Sequence, residues 1–583
     1  MRLKPLTIKL LRDLWRMRAQ AVAIALVIAA GVAMVIMSFG MIRSLEATRA
    51  AYYDRYRFAD VFAPVRRAPD QVIAQVRAVP GVAFAEGRVS TDGILDVPGI
   101  AEPVSARLHS LPPAEGLNLL VLRSGRFPDG RSANEAVVNE AFAKAARLEL
   151  GESFEATLYG KRVRLRLTGT VLSPEYVYAV APGQIFPDNR RYGIVWMNHE
   201  PLAAALDLTN SFNEVLVRLA PGASQPEVVR KLDLLLDRYG ATGAYGRDFQ
   251  ISDRFVSNEI SQLSTTVELL PPIFLAVAAF LLNIVLARLV DTEREVIGLM
   301  KAFGYTNRAV MSHYGGLALL LSVGGLALGA GLGTWLGRAL ATMYQQYFVF
   351  PFLEFRAGWD SYLLAAGATF VAALVGAALA VRRAARLMPA EAMRPPAPAD
   401  YSGRWTSGIA RLLGPDEPSR IVLRNVMRRP LRTGFAIMGL SAALALYIAS
   451  ASATDNVDTM IDLAFGRAER ADMVVTFAEP RDARASYELA RLPGVMRVEP
   501  FRFVGAKLVA GQHTLREGLS SNSAGADLSR VVDMNGRVIE PPAGGVIISS
   551  RVARQLGVEA GRPLQVNVTE GERPQLELNI SQV

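Results

Sequence analysis

No cysteine occurs among the 583 residues, which excludes disulfides and thiolate metal sites and leaves core burial to hold any soluble part together. The four histidines (His109, His199, His313, His513) are scattered and match no metal-ligand spacing, so no metal site is expected. There is no G-x-x-x-x-G-K-[ST] loop; the Gly160-Lys161 pair is followed by Arg162 and lacks the upstream glycines. Without a phosphate cradle or a magnesium-binding hydroxyl, the chain cannot hydrolyse nucleotide by itself. No G-x-S-x-G elbow is present, and the carboxylates form no pairs in sequence that would suggest a glycosidase, so no catalytic residue is assigned. Lysine is scarce, at seven residues, so the net charge of +10 is mostly arginine.

What is present is apolar. Hydrophobic residues make up 51% and charged residues 20%, a mixture that fits membrane spans joined to a sizeable soluble part. A bilayer core needs about 20 mostly apolar residues per helix. Five stretches qualify: 20–42, 267–290, 314–340, 361–381 and 434–453. The first is longer than a signal-peptide core and is closed by no A-x-A site, so it reads as a retained span. The expected fold class is therefore a polytopic α-helical membrane protein with α+β extracytoplasmic domains and five spans in this chain.

The arginines set the orientation rather than a nucleic-acid site. Arg2, Lys4, Lys9, Arg12, Arg16 and Arg18 precede the first span, with Asp13 the only acid. Residues 382–432 hold eleven arginines against four acids (Glu391, Asp400, Asp416, Glu417). Both segments are expected inside by the positive-inside rule. The domain order is then a cytoplasmic amphipathic helix (1–19), the first span, an outer domain with stalk helices (43–266), the second span and a cytoplasmic loop (291–313). The third and fourth spans, a cytoplasmic linker (382–432), the fifth span and a second outer domain (454–583) follow. The 1–19 helix is basic and amphipathic and should lie on the inner membrane surface.

The second outer segment repeats the first. Ala59-Asp60-Val61 parallels Ala471-Asp472-Met473 at an offset of 412, and Val79-Pro80-Gly81-Val82 parallels Leu492-Pro493-Gly494-Val495 at 413. Val137-Val138 with Ala143 and Leu150-Gly151-Glu152 parallels Ile547-Ile548 with Ala553 and Ala560-Gly561-Arg562 at about 410. Several ordered matches at one offset mark a true repeat. The second unit stops at Val583, near the equivalent of Leu172, so an incomplete second domain within a longer, eight-span protein is expected. Alternation predicts strands over 162–171, 194–197 and 214–219, and helical spacing predicts helices over 69–79, 140–147 and 225–239. Segments 44–57 and 255–270 read as helices that could pair as a stalk, with Pro271-Pro272 at the start of the second span.

Within the third span Gly325, Gly329, Gly333 and Gly337 recur every four residues, a small-residue stripe that lets helices approach closely. It reads either as a contact between the first and third spans or as ordinary bundle packing. Asn283 is expected to make a helix-to-helix hydrogen bond in the second span.

The 291–313 loop opens with acids and closes with bases, which suits a short helix, and its Val296, Ile297, Leu299, Met300 and Phe303 are too apolar for a solvated turn. Docking on a partner and lying along the headgroups both fit. Its run Arg294-Glu295-Val296-Ile297-Gly298-Leu299-Met300-Lys301-Ala302-Phe303-Gly304 resembles the R-E-I-G-x-x-K-A-x-G motif of FtsX-like ABC permeases, with Val296 either lengthening it by one residue or substituting within it. After the fourth span, Ala384-Ala385-Arg386-Leu387-Met388-Pro389-Ala390-Glu391-Ala392-Met393-Arg394 is similar to the family's exit sequence, with Pro389 and Glu391 at its centre. The outer segments resemble the periplasmic core domain of MacB/LolC-type permeases.

The resemblance implies a bacterial plasma-membrane (inner-membrane) permease with a cytoplasmic N-terminus. Glu293, Glu295, Ile297, Gly298, Leu299, Lys301, Ala302 and Gly304 would couple it to a cytoplasmic ABC ATPase, in two copies, which holds the ATP and magnesium; this chain needs no cofactor. Membrane lipid and a periplasmic adaptor are the other partners implied, and no nucleic acid. The function implied is export or extraction of an amphiphilic substrate such as a lipid, lipoprotein, peptide or antibiotic. The alternative is an ATPase-driven signal transducer that activates a cell-wall hydrolase or senses a ligand. A membrane-anchored enzyme is a third reading, for which no constellation of residues speaks.

Overall fold

The computed structural model describes residues 5–386 and 430–583, apart from Gly183, Ile185 and positions 478–480, 524, 534, 543 and 570, together with Met388. The chain divides into two compact units. One holds residues 1–50, 257–347 and 352–452, and the other holds 51–256, 348–351 and 453–583.

In chain order, α1 (Pro5–Arg16) and α2 (Arg18–Arg55) open the protein. The first α/β domain then runs through β1 (Val61–Pro69), α3 (Val72–Arg77), β2 (Val82–Arg88), β3 (Ser90–Asp96), β4 (Val104–Ser110), β5 (Val121–Gly125), β6 (Glu135–Asn139) and α4 (Glu140–Ala146). It continues through β7 (Ser153–Leu158), β8 (Lys161–Leu172), β9 (Tyr192–Met197), α5 (His199–Ala205), β10 (Ser211–Leu219), α6 (Gln225–Leu236) and β11 (Tyr245–Gly246). Four helices follow: α7 (Ile251–Thr292), α8 (Arg294–Ala302), α9 (Asn307–Tyr344) and α10 (Trp359–Arg386). The described chain resumes with α11 (Pro430–Ile461), α12 (Arg484–Leu489), β12 (Phe501–Ala510), β13 (His513–Asn522), β14 (Val531–Val532), β15 (Val538–Ile539), β16 (Gly545–Ile547), α13 (Ser550–Leu556), β17 (Pro563–Val568) and β18 (Gln575–Gln582).

Four helices among the described residues are long and apolar enough to cross a membrane: α2, α7, α9 with its continuation to Tyr347, and α10. The fifth expected span, 434–453, falls within α11, some of whose side chains lie outside the described residues, and is not among the four. The core of this helical unit is a cluster of buried apolar residues that includes Ile24, Ile28, Val32 and Ile36 of α2, Leu282 and Leu286 of α7, Leu317 and Leu321 of α9, and Ala373 and Ala377 of α10. The proline pair Pro271-Pro272 lies inside α7, which runs unbroken through it. Arg49 Nη1 donates to Ser257 Oγ at 2.8 Å, which ties α2 to α7 at the expected stalk.

The first α/β domain is built on two sheets. A four-stranded antiparallel sheet in the order β11-β1-β10-β2 packs its apolar face on α3 and α6, with Phe212, Val215, Val217, Val228 and Leu232 in the core between them. Seven strands in the order β5-β8-β6-β9-β4-β3-β7 form the second sheet, which closes on itself through a β7–β8 pairing and so loses an unpaired edge. Closure lets alternate residues of each strand fill one interior, where Leu95, Leu108, Val138, Phe154, Leu165 and Leu167 are fully buried.

The repeat read from the sequence reappears as strand pairing. In the first domain β3 pairs with β4 and β7, β7 with β8, and β6 runs parallel to β8. In the second, β12 pairs with β13 and β17, β17 with β18, and β16 runs parallel to β18. In both, a short helix (α4 or α13) follows the parallel strand and ends in a left-handed residue, Arg147 or Gly557.

Candidate functional site

The turn between α7 and α9 folds as a nine-residue helix whose C-terminal end is capped by backbone geometry. At the C-terminal end Gly304 adopts φ of +90°, its N–H donates to the Lys301 carbonyl at 3.0 Å, and the Tyr305 N–H donates to the Met300 carbonyl at 3.1 Å. This paired return is the glycine-terminated helix stop, and a residue with a Cβ would be strained there. Thr306 then caps α9, its side chain accepting from the Ala309 N–H.

The sequence-predicted residues of this turn separate onto two faces. Ile297 and Gly298 are buried, and Glu293 and Lys301 are half-buried, with Lys301 Nζ donating to the Ala385 carbonyl of α10 at 2.7 Å. Burial lowers the Lys301 pKa from its ordinary value. Glu295, Leu299, Ala302 and Gly304 are exposed. Beside them Val296 is exposed as well, and Leu299 and Phe303 leave 51% and 77% of their surface uncovered. An apolar strip of this kind on a charged, capped helix is the form that a groove on a second protein accepts.

A cluster not foreseen in the sequence holds the inner face. Lys9 Nζ of α1 lies 2.5 Å from Asp13 Oδ2 and 2.6 Å from Glu293 Oε2. Tyr314 of α9 donates its hydroxyl to the same Glu293 oxygen at 2.8 Å, and His313 Nε2 lies 3.2 Å from Asp13 Oδ2. The side chains of Asp13 and His313 are almost fully buried. Lys9, Asp13, Glu293 and Tyr314 each have a charged or hydrogen-bonding partner, the condition for keeping charge in a low-dielectric interior, while His313 Nδ1 is buried with no hydrogen-bond partner among the described residues. Glu293 is the residue that opens α8, so α1, α8 and α9 meet at one carboxylate.

The glycine stripe lies against α2. A Cβ at Gly325 would stand 2.7 Å from Ile28, one at Gly329 2.6 Å from Val32 and 2.7 Å from the Ala29 carbonyl, and one at Gly333 2.7 Å from the Ala33 carbonyl. At Gly337 the neighbour is the Phe355 ring. Asn283 of α7 donates from Nδ2 to the Gly376 carbonyl of α10 at 2.8 Å, at a glycine that itself abuts the Ala279 backbone. Pro389 and Glu391 lie outside the described residues.

The first α/β domain has a polar centre of its own. Arg88 is buried and makes a two-pronged contact with Glu175 at 2.6 Å and a further bond to Glu214 at 2.8 Å. Asn118 Nδ2 donates to Glu175 at 2.8 Å. The neighbouring carboxylates hold the Arg88 pKa well above its usual value despite burial. His109 is buried with Nε2 2.6 Å from the Tyr176 hydroxyl, and desolvation pushes its pKa well below the ordinary range. A cavity of about 210 Å³ beside Arg88 is lined by Glu86, Leu111, Pro113, Trp196 and His199. Partners 87 and 126 residues apart carry no local signal, which is why sequence reading missed this centre.

Comparison with known proteins bears on both units. Residues 269–389 match the family model described as FtsX-like permease C-terminal, and residues 21–235 match the MacB-like periplasmic core domain. No curated protein matches the chain. Among solved structures, the extracellular domain of the noncanonic ABC-type transporter YknZ from Gram-positive bacteria is 13% identical over 31% of this chain and 92% of its own, at a TM-score of 0.22. The periplasmic region of MacB from Actinobacillus actinomycetemcomitans is 11% identical over 36% of this chain and 94% of its own, at a TM-score of 0.23. A domain of a permease protein from Porphyromonas gingivalis is 14% identical over 32% of this chain and 81% of its own, at a TM-score of 0.21. With an FtsX-like permease segment spanning α7 to α10 and a MacB-like core domain ahead of it, this multi-pass membrane chain belongs to the FtsX/MacB-type ABC transporter permeases.

Proposed function

We propose that α8 seats on a separate cytoplasmic ATPase, and that ATP turnover by that partner moves the α/β domains so as to export or extract an amphiphilic substrate such as a lipid, lipoprotein or peptide. The observation that carries this reading is the division of α8 into two faces. Ile297, Gly298, Glu293 and Lys301 bind it to the helical unit, whereas Val296, Leu299 and Phe303 stand exposed. The anchored face gives a push on the helix a rigid lever, and the apolar face gives a partner something to grip. Family membership supports an ATPase as that partner, because the family pairs with one.

The orientation follows the arginines: the N-terminal segment and residues 382–432 lie in the cytoplasm, which puts the α8 turn there too. The first α/β domain then lies outside, where a periplasmic adaptor could engage it.

The test is reconstitution of the full chain with the ATPase that co-purifies with it from the native membrane. Stimulation of ATP hydrolysis should be lost in Leu299→Asp and Phe303→Asp, with the chain still inserted. Full stimulation in both variants would refute the docking face.

A further inference from the structure

α1 has two faces with different chemistry, and only one is used inside the chain. Lys9, Leu10, Asp13, Leu14 and Met17 recur at three- and four-residue steps and face the bundle, where Leu10 and Leu14 pack on its core and Lys9 and Asp13 join the Glu293 cluster. Ile8, Leu11, Arg12, Trp15 and Arg16 recur at the same steps on the other side and are exposed. The apolar members are large: Ile8, Leu11 and Trp15 leave 55%, 50% and 72% uncovered. The charged members are all arginines, since Asp13, the helix's one acid, points inward. Arg18, at the start of α2, adds a third cation, its guanidinium 5.4 Å from the Trp15 ring centre.

The geometry points to α1 as a sensor of anionic phospholipid: its outer face binds the lipid of the leaflet it lies on, and its inner face passes that occupancy to α8 through Lys9 and Glu293. The occupant follows from charge and place. α1 is joined by one residue to α2, a helix long and apolar enough to span the membrane, so its exposed side chains lie where headgroups are. Ile8, Leu11 and Trp15 suit the acyl boundary, and the arginines suit phosphate oxygens. On a zwitterionic surface each phosphate is already balanced by its own choline, whereas an anionic surface carries a net charge that attracts each of the three guanidinium groups. Holding Lys9 between Asp13 and Glu293 fixes α1 and the residue that precedes α8 as one piece, so a change in how α1 sits is felt at the turn.

This rests on the reading of α8 as the coupling helix, but the experiment contains no ATPase, so the two can fail separately. The full chain is placed in nanodiscs of phosphatidylcholine with or without phosphatidylglycerol. Bromine-tagged versions of each lipid quench tryptophan, and the Trp15 component is isolated by difference from Trp15→Phe. Trp15 should be quenched preferentially by the phosphatidylglycerol, and the preference should fall about fivefold for each arginine removed in Arg12→Gln and Arg12→Gln/Arg16→Gln. Because the chain lacks cysteine, a nitroxide on Leu299→Cys reports α8 alone. Its spectrum should change with phosphatidylglycerol in the parent and not in Lys9→Met or in Glu293→Gln, which keeps the shape of the site but not its charge. Equal quenching by the two lipids overturns the lipid site and returns the face to an acidic protein partner. A spectrum blind to lipid, or one that responds equally in the Lys9 and Glu293 variants, overturns the link to α8.

Discussion

Lys9 and Glu293 stand 284 positions apart in sequence and 2.6 Å apart in space. The contact joins the N-terminal helix to the residue that opens α8. Removing Lys9 leaves Asp13 and Glu293 close together without a cation, at a cost of about 3–5 kcal/mol for an orphaned buried charge. Lys9→Met should therefore lower thermal stability and partner-stimulated ATP turnover together. Lys9→Met/Glu293→Gln should regain part of the stability, with an interaction energy of about 1–3 kcal/mol in the double-mutant cycle. Additive losses would show that the two groups do not interact.

The helix contact along the glycine stripe makes a sharper steric prediction. Gly329→Leu drives a side chain into Val32 and the Ala29 carbonyl, so α2 and α9 must part, at about 1–3 kcal/mol. Gly331, two residues on, has nothing within 4 Å of a Cβ, and Gly331→Ala should be neutral or slightly stabilising. Melting of the purified chain in detergent checks both, and equal effects would refute the packing described.

In the first α/β domain, Arg88 bridges the carboxylates of Glu175 and Glu214, which among the described residues form no ion pair with another cation. Arg88→Met should destabilise this domain by about 3–5 kcal/mol, read as faster hydrogen exchange in β2 and β10 of the full chain. The triple variant Arg88→Met/Glu175→Gln/Glu214→Gln should recover much of the loss, because no charge is then stranded.

His109 predicts the domain's response to acid. Desolvation lowers its folded pKa below the ordinary 6.5, so the unfolded chain binds a proton that the folded one does not. The proton difference makes stability rise with pH in this window; equivalently, stability is lost as pH falls below about 6.5, at up to about 1.4 kcal/mol per pH unit. Hydrogen exchange of β4 amides at pH 7 and pH 5.5 measures it, and His109→Gln should flatten the slope by up to one proton. An unchanged slope would assign the acid sensitivity elsewhere.

Much of the architecture was legible from residues alone, and for identifiable reasons. Strands over 162–171, 194–197 and 214–219 are observed as β8, β9 and β10; β8 alternates exposed and buried positions over its first half, whereas β9 is buried on both faces. Helical spacing over 140–147 and 225–239 marks α4 and α6. Pro271-Pro272, read as the start of the second span, lie within α7, which runs from the stalk segment through the pair. The α8 turn was visible because its apolar residues exceed what a solvated loop holds. Which of them face inward was not: Ile297 and Leu299 are equally apolar, and only contact with the bundle buries one and leaves the other bare.

By itself the sequence determined what local chemistry and period decide: the apolar runs long enough to span a membrane, the arginine asymmetry around them, the repeat and the short capped helix between two spans. Tertiary structure alone decided which distant groups share a charge. Lys9 with Glu293, and Arg88 with Glu175 and Glu214, are pairs whose energy exists only once water is excluded, and no spacing along the chain encodes that exclusion.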